Sequence, residues 1–252
     1  MNAGLEEERI VIIPHGVDLS VFKPKEKPRN EKCTFLWNKG WSKGINDRSG
    51  FHSVLQAFCE EFKHEEAVKL VAHVNPAYNL PGWNIEEEFA KLNLPSKEVR
   101  AEINVNADVL PLTALPGFYE KGDFFIGTSK ADAFNIPVLE AMACGLPIIT
   151  SNFSGAVDYV PESCWFVSGK LVPASVTDIN EVAMYEQSNW LELDVGQLRF
   201  MMRTVFDLWK DHPEHLREVS NECIEASKKW TWEKSANLLI STILELEGNN
   251  AK

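Results

Sequence analysis

The stretch Lys130–Thr150 reads KADAFNIPVLEAMACGLPIIT, and it decides the fold. Pro137 suits the first turn of a helix, where its missing N–H is no loss and its φ is already helical. Val138, Leu139, Ala141, Met142 and Ala143 continue that helix. Gly145 fits just past its end, where a left-handed residue often stops a helix. Leu146–Thr150 then reads as a short buried strand. Upstream, Asp123-Phe-Phe-Ile-Gly-Thr128 reads as another. Strand, loop, short helix and strand make one βαβ unit of a parallel sheet.

That unit gives two acids a place. Asp132 lies in the loop over 128–136, at the carboxyl end of a strand, where open α/β sheets bind ligands. Glu140 lies about one turn into the helix. The helix start brings N–H groups and a positive dipole end to the same space, which suits phosphate. A sugar nucleotide matches the pattern: sugar hydroxyls, diphosphate, ribose hydroxyls. The spacing alone is equally met by a solvated loop acid and an exposed helical one.

Working outward, Ile10–Pro14 is expected to be a strand, closed by the turn His15-Gly16-Val17-Asp18. Further strands are expected over Cys33–Trp37, over Val68–Val74, near Ile103–Val109 and over Cys164–Val167. Phe51, Val54, Leu55, Phe58 and Phe62 recur at helical spacing, which predicts a helix over 51–62. Shorter helices are expected over 85–92, 112–121 and 155–160. Residues 168–193 read as irregular. Beyond them the chain reads as three helices, about 195–210, 213–229 and 232–247. The last carries Trp232, Ala236, Leu239, Ile240, Ile243 and Leu246 on one face. The expectation is a doubly wound, Rossmann-like α/β domain over 1–193, with a C-terminal helical tail over 194–252 packed on it.

The chain has 252 residues and a net charge of −12. Wholesale nucleic-acid binding does not fit that charge. No run approaches the roughly 20 apolar residues of a membrane span. The acidic N-terminus lacks the apolar core of a signal peptide. Five cysteines, scattered and without a CxxC pair, fit free thiols in a reducing, cytoplasmic setting. His212 and His215 flank Pro213 at a helix start and are not read as a metal site. No GxGxxG follows a strand, which argues against a dinucleotide-dependent oxidoreductase.

Three stretches together resemble the C-terminal, donor-binding domain of a retaining GT-B glycosyltransferase, most like glycosyltransferase family four. Residues 9–18, Arg-Ile-Val-Ile-Ile-Pro-His-Gly-Val-Asp, resemble the first strand of that domain and its turn, Gly16 included. Gly50-Phe-His-Ser-Val-Leu-Gln-Ala-Phe58 resembles the helix after its phosphate loop. Asp132 to Gly145 resembles its paired-acid motif, acid-x7-Glu followed by Ala-Met-Ala-x-Gly. The similarity runs on through Ser154-Gly155 and Asp158-Tyr159-Val160 to the terminal helices.

The resemblance implies roles. Glu140 would bond the ribose hydroxyls and Asp132 the hydroxyls of the transferred sugar. The backbone around Asn135, Ile136, Pro137 and Val138, beside Phe134, would meet the diphosphate and sugar. The loop over 38–50 would supply the phosphate-binding cations, from among Lys39, Lys43 and Arg48. The donor would be a UDP-, GDP- or ADP-linked sugar, with no metal or other cofactor. The acceptor site would sit on an N-terminal domain or partner subunit, because this chain begins where the linker into the second domain is expected. The isolated chain would then bind donor and transfer nothing. The sequence departs from the family in four ways, one being a 38–50 loop a few residues longer than usual, which leaves Lys39, Lys43 and Arg48 unranked. The first acid is Asp rather than Glu, Ala133 and Asn135 stand where glycines are common, and Ser49 stands where a lysine is usual. The shortened acid, the Ser49 change and the missing acceptor domain keep a second reading open, a non-catalytic nucleotide-sugar-binding or partner-binding module. A GT-B-like sugar-nucleotide epimerase is a third, against which the Ala-Met-Ala-Cys-Gly run argues.

Overall fold

The structure is a computed structural model that describes residues 6, 10–41, 47–75, 84–174 and 188–250. Six strands form one parallel sheet: β1 (Cys33–Lys39), β2 (Val68–Val74), β3 (Glu102–Asn106), β4 (Phe124–Ile126), β5 (Ile148–Ser151) and β6 (Trp165–Val167). Their spatial order is β3-β2-β1-β4-β5-β6. The chain builds outward from β1 to β3, then returns and builds the other way from β4. That reversal is the topological switch point of a doubly wound sheet, and it opens a crevice at the carboxyl ends of β1 and β4.

Burial on both faces explains the strand composition. Every residue of Cys33–Asn38 is buried. Phe35 and Trp37 point to one face, where they pack with α1 (Phe51–Glu61) and α5 (Val195–Asp211). Leu36 points to the other, where α4 (Ile136–Ala143) and α6 (Pro213–Ser227) lie. Phe35 sits among Phe58, Phe62 and Phe124, with ring centroids 5.5–6.2 Å apart. Two shorter helices, α2 (Ile85–Lys91) and α3 (Leu115–Tyr119), complete the connections. Residues 112–114 and 155–158 form 3-10 turns.

The central βαβ unit forms as its sequence predicts. Pro137 is the second residue of α4, and Gly145 beyond it has φ +81°. Gly127 sits where β4 leaves the sheet, and a Cβ there would fall 2.1 Å from a Val138 methyl carbon. The absent side chain is what lets α4 close on the strand.

Two expectations fail. Ile10–Pro14 forms no strand: Val11 and Ile12 are 54% and 72% exposed, and the nearby backbone pairing is the isolated bridge Val17–Thr231. A β-branched run becomes a strand only where a neighbour's backbone meets it. Residues 168–193 are not wholly irregular: β7 (Gly169–Pro173) and β8 (Asn189–Leu193) pair antiparallel. Their pairing partners are far apart in sequence, and no short turn announces the hairpin. Gly169 permits the pairing, since a Cβ there would stand 2.1 Å from Glu192 O.

In α7 (Trp232–Asn250), Trp232, Leu239, Ile240, Ile243 and Leu246 are exposed. No helix among the described residues is long and apolar enough to cross a membrane.

Candidate nucleotide-sugar site

The loop after β4 is shaped by its own acid. Asp132 Oδ1 accepts the N–H of Phe134 at 3.2 Å and of Asn135 at 2.7 Å. That turn carries Asn135 into the left-handed region, φ 67°, where it caps α4. Asparagine tolerates this conformation better than most residues. Its side chain donates to Gly127 O at 2.7 Å, while its Oδ1 is buried without a partner. Tyr159 closes the loop from behind, its hydroxyl 2.7 Å from Phe134 O and 2.9 Å from Asn135 O. Ser154 donates to Asp132 O.

A second loop meets the first. Lys130 N donates to Arg48 O at 2.9 Å, so residues 47–50 and 128–136 are stitched together. Lys39, the last residue of β1, pairs with Asp132 Oδ2 at 2.7 Å. The hairpin is tied in as well, Leu191 N donating to Lys130 O at 2.9 Å.

Between these parts lies a cavity of about 650 Å³. Asp132, Phe134, Asn135, Ile136, Pro137, Glu140, Lys39 and Arg48 all line it. Sequence positions up to 101 apart, Lys39 to Glu140, are thus brought to one crevice. Lys43 lies outside the described residues. Val138 does not line the cavity: it is fully buried, and its N–H donates to Asn135 O at 2.9 Å. Gly16 is also outside the lining. Its α-carbon abuts the Thr231–Trp232 backbone, where a Cβ would fall 2.1 Å from Trp232 N. Its neighbour His15 lines the cavity instead, 5.4 Å from the Phe134 ring and 5.5 Å from Trp232. Sequence reasoning also missed Asn38, His73, Leu110, Leu115 and Trp190, which share the lining, because no local motif marks them.

The electrostatics separate the two acids. Glu140 is only 8% exposed. Burial pushes its carboxyl up to about 7, and a 2.6 Å hydrogen bond from the Tyr119 hydroxyl holds it from rising further. Burial would raise Asp132 too, but Lys39 and the two backbone N–H groups outweigh it and hold the carboxyl below its ordinary value. Burial lowers Lys39, against the pull of Asp132. A cavity lined by the strongly held Asp132 carboxylate, the raised Glu140 carboxyl, Asp47 and adjacent cations suits a ligand with both hydroxyls and phosphates. Among the described residues no group of three or more His, Cys, Asp or Glu could hold a metal ion. His212, just before α6, lies 3.4 Å from Glu214, and His215 within it lies 3.7 Å from Glu218.

A family profile described as "Glycosyl transferases group 1" matches residues 45–184, which carry both acids and the Arg48 loop. The chain belongs to the glycosyl transferases group 1 family. Its fold is that of a GT-B glycosyltransferase C-terminal domain. The alpha-monoglucosyldiacylglycerol synthase of Streptococcus pneumoniae is 29% identical over 148 residues, covering 55% of this chain and 31% of that protein. The chain spans less than half the length of the curated relatives it matches. Among solved structures, the C-terminal domain of a glycosyl transferase group 1 family protein from Francisella tularensis aligns with TM-score 0.57 and 16% identity. That alignment covers 85% of this chain and 97% of the other. Anabaena HepE in complex with UDP-glucose aligns with TM-score 0.62 and 13% identity, over 96% of this chain and 59% of HepE.

Proposed function

We propose that this chain is the donor-binding half of a retaining, hexosyltransferase-like glycosyltransferase. One observation carries the reading: Asp132, Glu140, Lys39 and Arg48 line a single cavity at the switch point of the sheet. In this reading Glu140 takes the ribose hydroxyls and Asp132 takes hydroxyls of the sugar. The diphosphate lies at the start of α4, with Lys39 and Arg48 as its counter-charges. The bond from the anomeric carbon to the leaving diphosphate breaks, and one to the acceptor oxygen forms on the same face. The acceptor's proton passes to the departing phosphate. The acceptor site is assigned to a second domain or a partner subunit, and the cytoplasm is the proposed compartment.

Calorimetry with UDP, GDP and ADP tests the binding, with UDP the first probe because HepE was solved with UDP-glucose. One of the three should bind. Labelled UDP-glucose with a broad acceptor panel should then show no transfer by this chain alone. Holding donor and acceptor together accounts for about 7–11 kcal/mol of barrier reduction, and half a cleft does not supply it. Absence of binding by all three nucleotides at millimolar concentration would sink the reading. Robust turnover would place the acceptor site within this chain.

The cations make a separate expectation. Lys39→Ala and Arg48→Ala should each weaken binding of the nucleotide, by roughly tenfold at low salt for a lost charge-assisted contact. The Arg48 effect should shrink as salt rises, because Arg48 is exposed and its field is screened. Lys39 is largely buried beside Asp132, so its effect should persist. Wild-type affinity in both variants would reduce the loop to a surface feature.

A further inference from the structure

Beneath the cavity, Glu140 is not held by one neighbour but by a chain of four. The Tyr119 hydroxyl lies 2.6 Å from Glu140 Oε2. Asn38 Nδ2 lies 3.1 Å from that hydroxyl, and Asn38 Oδ1 lies 2.8 Å from His73 Nδ1. His73 Nε2 ends the chain 2.8 Å from the carbonyl oxygen of Asp108. Tyr119 is fully buried, and His73, Asn38 and Glu140 are all under a tenth exposed. The chain runs across α4, α3, β1, β2 and the loop after β3. That last loop carries Leu110, which lines the same cavity.

From this geometry we propose that Tyr119, backed by Asn38 and His73, is a positioning residue that orients the Glu140 carboxyl for the ribose of the nucleotide. The inference rests on the donor-binding reading of the cavity. The Tyr119 hydroxyl takes Oε2, which leaves Oε1 for a ribose hydroxyl and fixes the plane of the carboxylate. The support for Tyr119 is itself directional. Asn38 donates to the Tyr119 oxygen, which makes Tyr119 a stronger donor toward Glu140. Asn38 Oδ1 in turn faces His73 Nδ1 at 2.8 Å, which packs the amide against β2.

The other titratable groups around Glu140 are Cys144, one turn further along α4, and Tyr119 itself. Lys39 and Asp132, across the cavity, pair with each other.

A buried tyrosine that merely satisfies its hydroxyl would look alike in a static structure. The two roles part in a titration. The full chain carrying ¹³C-labelled glutamate carboxyls is titrated by NMR, with the Glu140 signal assigned by Glu140→Gln. UDP affinity is measured alongside at pH 6, 7 and 8.5. Tyr119→Phe should move the Glu140 midpoint upward by about half a unit or more, because a bond to the ionised form is lost. UDP binding at pH 7 should weaken roughly threefold to tenfold, the range for one neutral hydrogen bond, and the deficit should narrow at pH 8.5. Asn38→Ser, which leaves Tyr119 in place, should move the midpoint in the same direction by less. An unmoved midpoint in both variants, with wild type binding UDP, overturns the positioning role and leaves the donor-binding reading standing. A moved midpoint in a protein that binds no UDP, GDP or ADP overturns both, since there is then no ribose to position.

Discussion

Glu140→Gln is expected to stabilise the free protein and to remove most of its nucleotide affinity. The carboxyl titrates at about 7 in the folded chain, against an ordinary 4.5. Below pH 4.5 it is protonated in both states and contributes nothing. Between 4.5 and 7 the unfolded chain releases a proton that the folded chain keeps, so stability falls as pH rises. Above 7 the full penalty is present, on the order of 3 kcal/mol. Glutamine removes the charge and still accepts from Tyr119. Its melting temperature should therefore exceed wild type by roughly 6–12 °C at pH 8, and by little at pH 5. UDP affinity at pH 8 should fall roughly 10- to 100-fold, the range for a charge-assisted hydrogen bond. Melting curves that coincide at pH 8 would refute the burial penalty. Unchanged affinity would remove Glu140 from the ribose.

Asp132→Asn should do the opposite to stability. Asparagine keeps the acceptor that shapes the 132–135 turn but leaves Lys39 without its counter-charge. Breaking a fully buried pair costs about 3–5 kcal/mol. Asp132 keeps 22% of its side-chain exposure, so about 2–3 kcal/mol is expected here, limited further if Lys39 gives up its proton. The folded carboxyl titrates below its ordinary 3.8, so its contribution is present above that value and is lost as pH falls through the folded one. The variant should unfold earlier in urea at pH 7, and the gap should close as pH falls below 3.8 and through the folded value. Equal urea midpoints at pH 7 would show that the Lys39–Asp132 pair adds nothing to the fold. Two acids of one motif thus act oppositely on stability. Asp132 is held in its charged form by its partner, whereas burial penalises the charged form of Glu140.

Much of the fold was legible because its signals are local. Pro137, Gly145 and the apolar run after it set α4, its stop and β5 within sixteen residues of sequence, and the structure follows them. The boundaries of Val68–Val74 were read without error. The same local reading mistook Ile10–Pro14 for a strand and saw no strand in 168–193, since a strand depends on what lies beside it. For the site, the loop acid, the helical acid and the nearby cations were visible as residue types at suggestive spacings. That Glu140 would be buried under Tyr119, and that Asn38 and His73 would stand behind it, was not visible.

By itself the sequence determined the alternation of strands and helices, the βαβ unit with its paired acids, and, through motif resemblance, membership of the glycosyl transferases group 1 family. Hydrophobic period, proline and glycine act over one or two turns of chain, so they can be read in line. The tertiary structure alone decided the strand order, which puts the end of β1 beside the loop after β4 and so makes a crevice there. It alone paired Lys39 with Asp132 across 93 residues, and Tyr119 with Glu140 across 21. Charge and hydrogen bonding act through a few ångströms of space, and the ionisation of each acid follows from the neighbours that folding brings to it.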